Sequence, residues 1–127
     1  MKNLNEIGGS AFGHTSGTAN NIVATKLPEK LTVLNDFAFL NCPNVNFVNF
    51  TQLTKMGNGY KCLGGCGNSI SNLIIKASGI SYGNDAFLEY APNAIELEIQ
   101  GSFGDDTEEE LTRIGLNRNW RVKNQVL

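Results

Sequence analysis

The chain of 127 residues lacks several features that would place it in a class at once. It has only three cysteines, and an odd number excludes a fully paired disulfide framework. No stretch approaches the roughly 18 apolar residues that a membrane-spanning helix needs. The first ten residues contain no apolar segment of the kind found in signal peptides. We therefore expect no disulfide scaffold, no membrane insertion and no signal peptide in this sequence.

Basic residues are also few, and they are scattered along the chain. There are 10 Lys and Arg against 12 Asp and Glu, which gives a formal net charge of −2. Binding to nucleic-acid phosphates or to an anionic membrane surface needs clustered Lys and Arg, so we expect neither as a partner. Apolar residues make up 41% of the sequence, which is enough for a packed core. Length and composition together predict one domain over residues 1–127.

What the sequence does have is an internal repeat. The phrase Ile7-Gly-Gly-Ser-Ala-Phe12 returns as Leu34-Asn-Asp-Phe-Ala-Phe39 and as Tyr82-Gly-Asn-Asp-Ala-Phe87, and a degenerate copy covers residues 56–63. The last position of the phrase falls 27, 24 and 24 residues apart, at Phe12, Phe39, Leu63 and Phe87. This period lies within the range of about 20–29 residues that leucine-rich repeats have. We predict repeats starting near residues 7, 34, 56 and 82, about four and a half in all.

A second pattern follows each phrase in the same register. Three residues after the aromatic position come Thr15, Cys42, Cys66 and Tyr90. Apolar residues then lie four, seven and nine positions after Cys66 and again after Tyr90, and the end of this pattern alternates as a half-buried strand does. Because a unit of this size cannot bury its own apolar side, units must stack. We predict one parallel sheet with strands near residues 22–27, 45–50, 70–75 and 94–99.

The predicted fold is a β-rich α/β solenoid with the parallel sheet on its concave side. Each Ala-Phe phrase predicts a short helical turn on the other side, with its Phe in the interior. We expect backbone angles closed to most residues at Gly8, Gly57, Gly83 and Gly115. Thr107 and Glu110 fit a capping box, which predicts a short inserted helix near residues 107–114. Residues 115–127 are predicted to cap the open end of the core.

These phrases resemble the BspA-like leucine-rich repeats, whose units read approximately Ile-Gly-x-x-Ala-Phe-x-x-Cys-x-x-Leu-x-x-Val-x-Ile-Pro-x-x-Leu-Thr. The resemblance runs from residue 7 to about residue 115, nearly the whole chain. The third copy departs from it at Cys62 and Leu63, and a Pro follows the strand only at Pro28. The resemblance implies adhesion or binding to a host surface or matrix protein, and a cell-surface or secreted location.

The strand register assigns the side chains that point out of the predicted sheet. The strand face of such a solenoid is an extended surface suited to binding another protein. We predict that its binding residues are Lys26, Phe47, Asn49, Asn72, Ile74, Lys76, Ile95, Glu96 and Glu98. Phe47, the only aromatic residue among them, is the predicted anchor.

Metal and catalytic sites are weaker interpretations of the remaining residues. The three cysteines and His14 lack the spacing of zinc ligands, and Cys42 and Cys66 share a repeat position, which favours buried, stacked thiols. The acidic run at 105–110 lacks the alternating oxygen ligands of a calcium loop. We expect no enzyme activity, no metal and no cofactor. The chain is predicted to be a non-catalytic binding module for protein interaction or adhesion. The alternative is a structural spacer in a larger surface or phage-type assembly.

Truncating the repeated aromatic residue tests the predicted stacking. We expect Phe39→Ala and Phe87→Ala each to lower the free energy of unfolding by about 3–5 kcal/mol, because each removes a buried ring. Phe12→Ala should cost less, since an end repeat has one stacked neighbour. Denaturant titration of the three variants measures these losses. Near-zero values throughout would show that the Ala-Phe phrase does not fill the core.

Overall fold

The computed structural model describes residues 4–9, 22–57, 62–94, 96–116 and 120–123. Over these residues the chain winds as a β-solenoid of about four turns, which confirms the predicted solenoid. We number the turns as coils 1 to 4, each made of the described residues within the ranges 6–27, 33–50, 55–76 and 81–100. Sheet 1 consists, in this order, of β1 Glu6–Ile7, β2 Val33–Leu34, β3 Lys55–Met56 and β5 Ser81–Tyr82. Sheet 2 consists of β4 Asn72–Lys76, β6 Glu96–Gln100 and β7 Arg121–Lys123.

Sheet 2 is the sheet that the apolar spacing predicts. Its strands are parallel, and the register places Leu73 beside Leu97 and Ile75 beside Ile99, all four buried. Toward coil 1 the sheet continues only as two isolated parallel bridges, Asn49 with Ile74 and Ala24 with Val45. The strands predicted near 22–27 and 45–50 are therefore reduced to single bridge residues.

The sequence pattern does not predict sheet 1. Each of its strands has two residues, one pointing inward and one outward. The inward residues pair along the solenoid in one row, Ile7, Leu34, Met56 and Tyr82. These residues are the first of each repeated phrase, but two residues are too few to show the alternation that indicates a strand.

The helical turns predicted at the Ala-Phe phrases are wrong for the copies that the structure describes. These segments are successive tight turns, in which an N–H donates to the carbonyl three residues earlier, as from Ala38 to Asn35 and from Cys42 to Phe39. Phe37, Asn41, Asp85 and Glu89 have φ angles of 59°, 61°, 58° and 62°, which a right-handed helix does not allow. The first copy, with Phe12, lies outside the described residues.

The physical reason is that other main-chain groups of these turns bond to the neighbouring coil. The Phe39 N–H donates to the Cys62 carbonyl at 2.8 Å, and the Cys62 N–H donates to the Ala86 carbonyl at 3.3 Å. A peptide group used between coils is not available for a bond within an α-helix. The repeated phrases thus stack as predicted, but as turns instead of helices.

The inserted helix is confirmed as α1, Thr107–Arg113, preceded by a 3-10 turn at Gly104–Asp106. The capping box is wrong, because the helix begins after Asp106 and the Thr107 hydroxyl donates back to the Gly104 carbonyl at 2.7 Å. The Glu110 carboxylate instead accepts hydrogen bonds from Arg113, which lower its pKa. No helix within the described ranges is long and apolar enough to span a bilayer.

The Arg113 guanidinium fastens α1 to coil 4. It donates to the Tyr82 carbonyl at 2.9 Å and to the Asn84 side-chain oxygen at 3.0 Å. After the helix, β7 extends sheet 2, and Trp120 packs against the core while its indole N–H donates to the Leu116 carbonyl at 3.0 Å. The described part of the predicted cap therefore adds a strand to the sheet.

Positive φ angles occur at two of the four predicted glycines. Gly57 and Gly115 have φ of 73° and 92°, whereas Gly8 and Gly83 do not have a positive φ. At Gly115 the main chain passes very close to coil 4. A Cβ atom there would lie 2.6 Å from the Leu88 nitrogen and 2.9 Å from its Cα.

Adding a methyl group at Gly115 tests this contact. Gly104 is the matched control, since its φ is 70° and a Cβ there would meet nothing within 4 Å. We expect Gly104→Ala to cost about 1–2 kcal/mol of stability from backbone strain alone. Gly115→Ala should cost a further 1–3 kcal/mol or so, because the backbone must also move. Equal losses in denaturant titration would show that the close approach of α1 to coil 4 is not a constraint.

Candidate functional site

The side chains of sheet 2 alternate between the core and the surface. Buried leucine and isoleucine residues on β4 and β6 are separated by residues that are half-buried or exposed. The register places Asn72 beside Glu96, Ile74 beside Glu98, and Lys76 beside Gln100. Five of the predicted binding residues therefore lie together. We call this surface the outer face, made of Asn72, Ile74, Lys76, Glu96 and Glu98.

The charges on the outer face are mixed and accessible. On β7, Arg121 stands beside Glu96, with 3.7 Å between the Arg121 Nε and a Glu96 carboxylate oxygen. An exposed pair of this kind stabilises the fold by only about 0–1 kcal/mol, so a partner can replace it at little cost. Ile74 is half-buried among these polar neighbours and is the apolar element of the surface.

Phe47, the predicted anchor, is not on this surface. Its side chain is 1% exposed and packs among other rings, so its prediction as an exposed contact is wrong. Phe47 and Phe50 both point inward, and two residues lie between them, Val48, which is half-buried against the core, and Asn49, which is exposed. In a strand that alternates strictly, only one residue would lie between two inward-pointing side chains. In the second repeat the apolar positions come one residue sooner after Cys42 than after Cys66 and Tyr90, and this shifts the register.

The remaining predicted residues lie toward coil 1. Lys26 and Asn49 are exposed and line a groove with a volume of about 470 Å³ between coils 1 and 2, together with Leu27 and Val48. Asn49 is bridged to Ile74, so the groove adjoins the outer face. Ile95 lies outside the described residues. The predicted site is thus two adjoining surfaces, a groove and a sheet face.

Two groove residues that sequence reasoning missed hold its shape. The Gln52 amide nitrogen donates to the carbonyls of Pro28 and Leu31, at 2.8 and 2.7 Å, and ties coil 2 to coil 1. The Asn49 side-chain oxygen accepts from the Thr51 N–H at 2.9 Å and from its hydroxyl at 2.6 Å. Asn followed by Thr two residues later is a recognised turn signal, and it could have identified this corner.

The three cysteines are buried thiols outside any disulfide bond. Burial raises the pKa of the Cys62 and Cys66 thiols to about 12, so both are protonated at neutral pH. The Cys66 thiol donates to the Phe39 carbonyl at 3.0 Å. A buried, protonated thiol is a poor nucleophile and a poor metal ligand. Among the residues described, no three His, Cys, Asp or Glu side chains are placed to share a metal, and His14 lies outside them.

Comparison with known proteins adds no neighbour: no protein-family model, curated protein or solved structure significantly matches the chain.

The inward position of Phe47 can be tested against that of its neighbour. Phe47→Ala should lower the free energy of unfolding by about 3–5 kcal/mol, because it empties the space of a buried ring. Val48→Ala removes a half-exposed side chain and should cost less than about 1 kcal/mol. Denaturant titration of both variants gives the comparison. A larger loss of stability for Val48→Ala than for Phe47→Ala would show that Val48, and not Phe47, fills the core.

Proposed function

We propose that the chain is a non-catalytic binding module that recognises a protein partner through the outer face of sheet 2. The observation that supports this most directly is the register of β4 and β6. It brings five side chains, foreseen as contact residues from the repeat alone, onto one surface. Parallel strands about 4.8 Å apart present such side chains as a flat, evenly spaced array. A surface of this kind suits an extended contact with another protein.

The chemistry of the outer face is consistent with a protein–protein interface. Ile74 supplies apolar area, Lys76 and Glu98 beside it carry charges of opposite sign, and Arg121 adds a cation on the next strand, β7. Apolar residues ringed by polar ones are the usual composition of such a contact. The two charge types also favour one orientation of the partner over others.

We further propose that the coils are leucine-rich repeats of the BspA-like type. The support is the repeated phrase and the stacking of Phe39, Cys62 and Ala86 through main-chain hydrogen bonds with the period that the phrase predicts. Tight turns in place of helical turns are a departure that this assignment must accommodate. Adhesion to a host surface or matrix protein, and a surface or secreted location, follow from the assignment.

A structural spacer is the second candidate. Its support is the pair of main-chain ladders, one in each sheet, which hold successive coils at a fixed spacing. A spacer needs this regularity and needs no contact surface. The two candidates differ in whether the outer face carries binding energy.

Charge reversal on the outer face separates them. We expect the protein to bind at least one member of an array of matrix and host cell-surface proteins, and Glu98→Lys to weaken that binding about tenfold. Lys55→Glu is the control, because Lys55 is exposed on sheet 1 and points away from the core. Surface plasmon resonance measures each affinity, and a thermal melt checks folding. Equal effects of the two variants, or no binding at all, would contradict the proposal and favour the spacer.

A further inference from the structure

The main-chain ladder between coils 1 and 2 stops after one bridge. The Ala24 N–H donates to the Asn44 carbonyl at 3.2 Å, and the Asn46 N–H donates to the Ala24 carbonyl at 2.8 Å. Beyond Ala24 the chain bends, and in the part of the chain that the structure describes no hydrogen bond joins residues 25–27 to residues 47–51. The groove lies at this interruption. Here the strand edge of coil 2 has no hydrogen-bonded neighbour among the described residues of coil 1, and we call this unpaired place the empty position.

Asn49 presents its peptide groups to that empty position. On the coil 3 side, the Ile74 N–H donates to the Val48 carbonyl at 2.8 Å, and the Phe50 N–H donates to the Ile74 carbonyl at 2.9 Å. In a parallel ladder the residue between such a pair directs its own N–H and C=O to the opposite side. For Asn49 that side is the groove. Within the described ranges neither group takes part in a hydrogen bond.

An unpaired strand edge with a donor and an acceptor is what an added strand requires. Extended peptides bind many sheets in this way, with main-chain hydrogen bonds for affinity and side-chain contacts for specificity. Here Leu27 and Val48 offer apolar contact beside the edge. The groove volume is within the range of about 300–1,000 Å³ found for ligand sites. A short extended segment therefore fits the site in both shape and hydrogen bonding.

The charge of the groove indicates the kind of segment. Among the described residues that line the groove, Lys26 is the only charged one and none carries a carboxylate. The Asn49 side-chain oxygen is occupied by Thr51, which leaves its amide nitrogen as a further donor. One cation with additional donors favours an acidic group on the ligand. The described part of the lining contains no aromatic side chain on which a sugar ring could stack, which favours a polypeptide over an acidic polysaccharide.

We propose that the groove between coils 1 and 2 binds an extended acidic segment of a polypeptide partner by strand addition. The main chain of the segment pairs with the Asn49 N–H and C=O, and a carboxylate of the segment contacts the Lys26 ammonium. The proposal rests on the proposed function in one respect, that the partner is a protein. It adds a second contact beside the outer face and states the chemistry that this contact selects.

Titration followed by nuclear magnetic resonance tests the site directly. The probe is acetyl-Val-Thr-Glu-Val-Thr-amide, added to the ¹⁵N-labelled full chain up to about 10 mM, since an isolated segment should bind in the millimolar range. We expect saturable shifts at the amides of Val48, Asn49 and Phe50. Replacing the central Glu of the peptide by Gln should weaken binding about two- to fivefold, the contribution of one exposed ion pair.

Matched variants connect the effect to Lys26. Lys26→Gln should bind the Glu peptide no better than the unchanged protein binds the Gln peptide, and Lys55→Gln on sheet 1 should bind it normally. No saturable shift at the groove, equal binding of the two peptides, or equal shifts with acetate alone would overturn the proposal. Stronger binding of hyaluronan oligosaccharides at the same amides would assign the groove to acidic polysaccharides and overturn it as well.

The two proposals fail separately. If Glu98→Lys abolishes binding to a protein of the array and the peptide leaves the groove amides unchanged, the outer face is the interface and the groove is not a site. If the peptide binds at Asn49 and no protein binds through the outer face, strand addition stands and the proposed function fails.

Discussion

The edge-to-face packing of Phe47 and Phe50 inside coil 2 is the contact on which much of the remaining structure depends. Phe47 lies 5.4 Å from Phe39 and 6.2 Å from Phe50, and Phe50 lies 5.2 Å from Phe87 in coil 4, each ring nearly perpendicular to the next. Such pairs add about 0.5–1.5 kcal/mol each to the burial of the rings themselves. The hydroxyl of Tyr90 donates to the Phe47 carbonyl and so closes the cluster. Coils 2 and 4 are joined through these rings.

The same packing shapes the surface outside it. Both rings point inward with two residues between them, Val48 half-buried against the core and Asn49 exposed, so the strand cannot keep a period of two. The ladder toward coil 1 ends at the Ala24 bridge, and the groove opens beside Asn49. Where the alternation is intact, on β4 and β6, the sheet is continuous and its outer face is flat. The packing of Phe47 and Phe50 in the core thus separates a continuous hydrogen-bonded sheet at β4 and β6 from the groove beside Asn49.

Hydrogen bonds between coils determine the conformation of the Ala-Phe segments, which are tight turns and not helical turns. A helical turn there would direct its N–H groups along its own axis, but bonds such as Phe39 to Cys62 and Cys62 to Ala86 require them to point to the next coil. The chain meets this requirement with left-handed residues, including non-glycine ones such as Asn41 and Glu89. Each costs strain, which the stacked carbonyl partners offset.

The sequence by itself determined the solenoid, its period and the parallel register of Leu73 with Leu97, because stacking identical units places equivalent residues side by side. It also located α1, whose acidic and polar residues interrupt the period. Only the tertiary structure decided the direction of Phe47. The apolar positions after Cys42 come one residue early, so two registers fit the same sequence, and ring packing selects between them. The repeated phrase marks the segments of sheet 1 and of the tight turns, but their conformation was decided by bonds between coils. These bonds connect residues more than 20 positions apart, so no local pattern could indicate it.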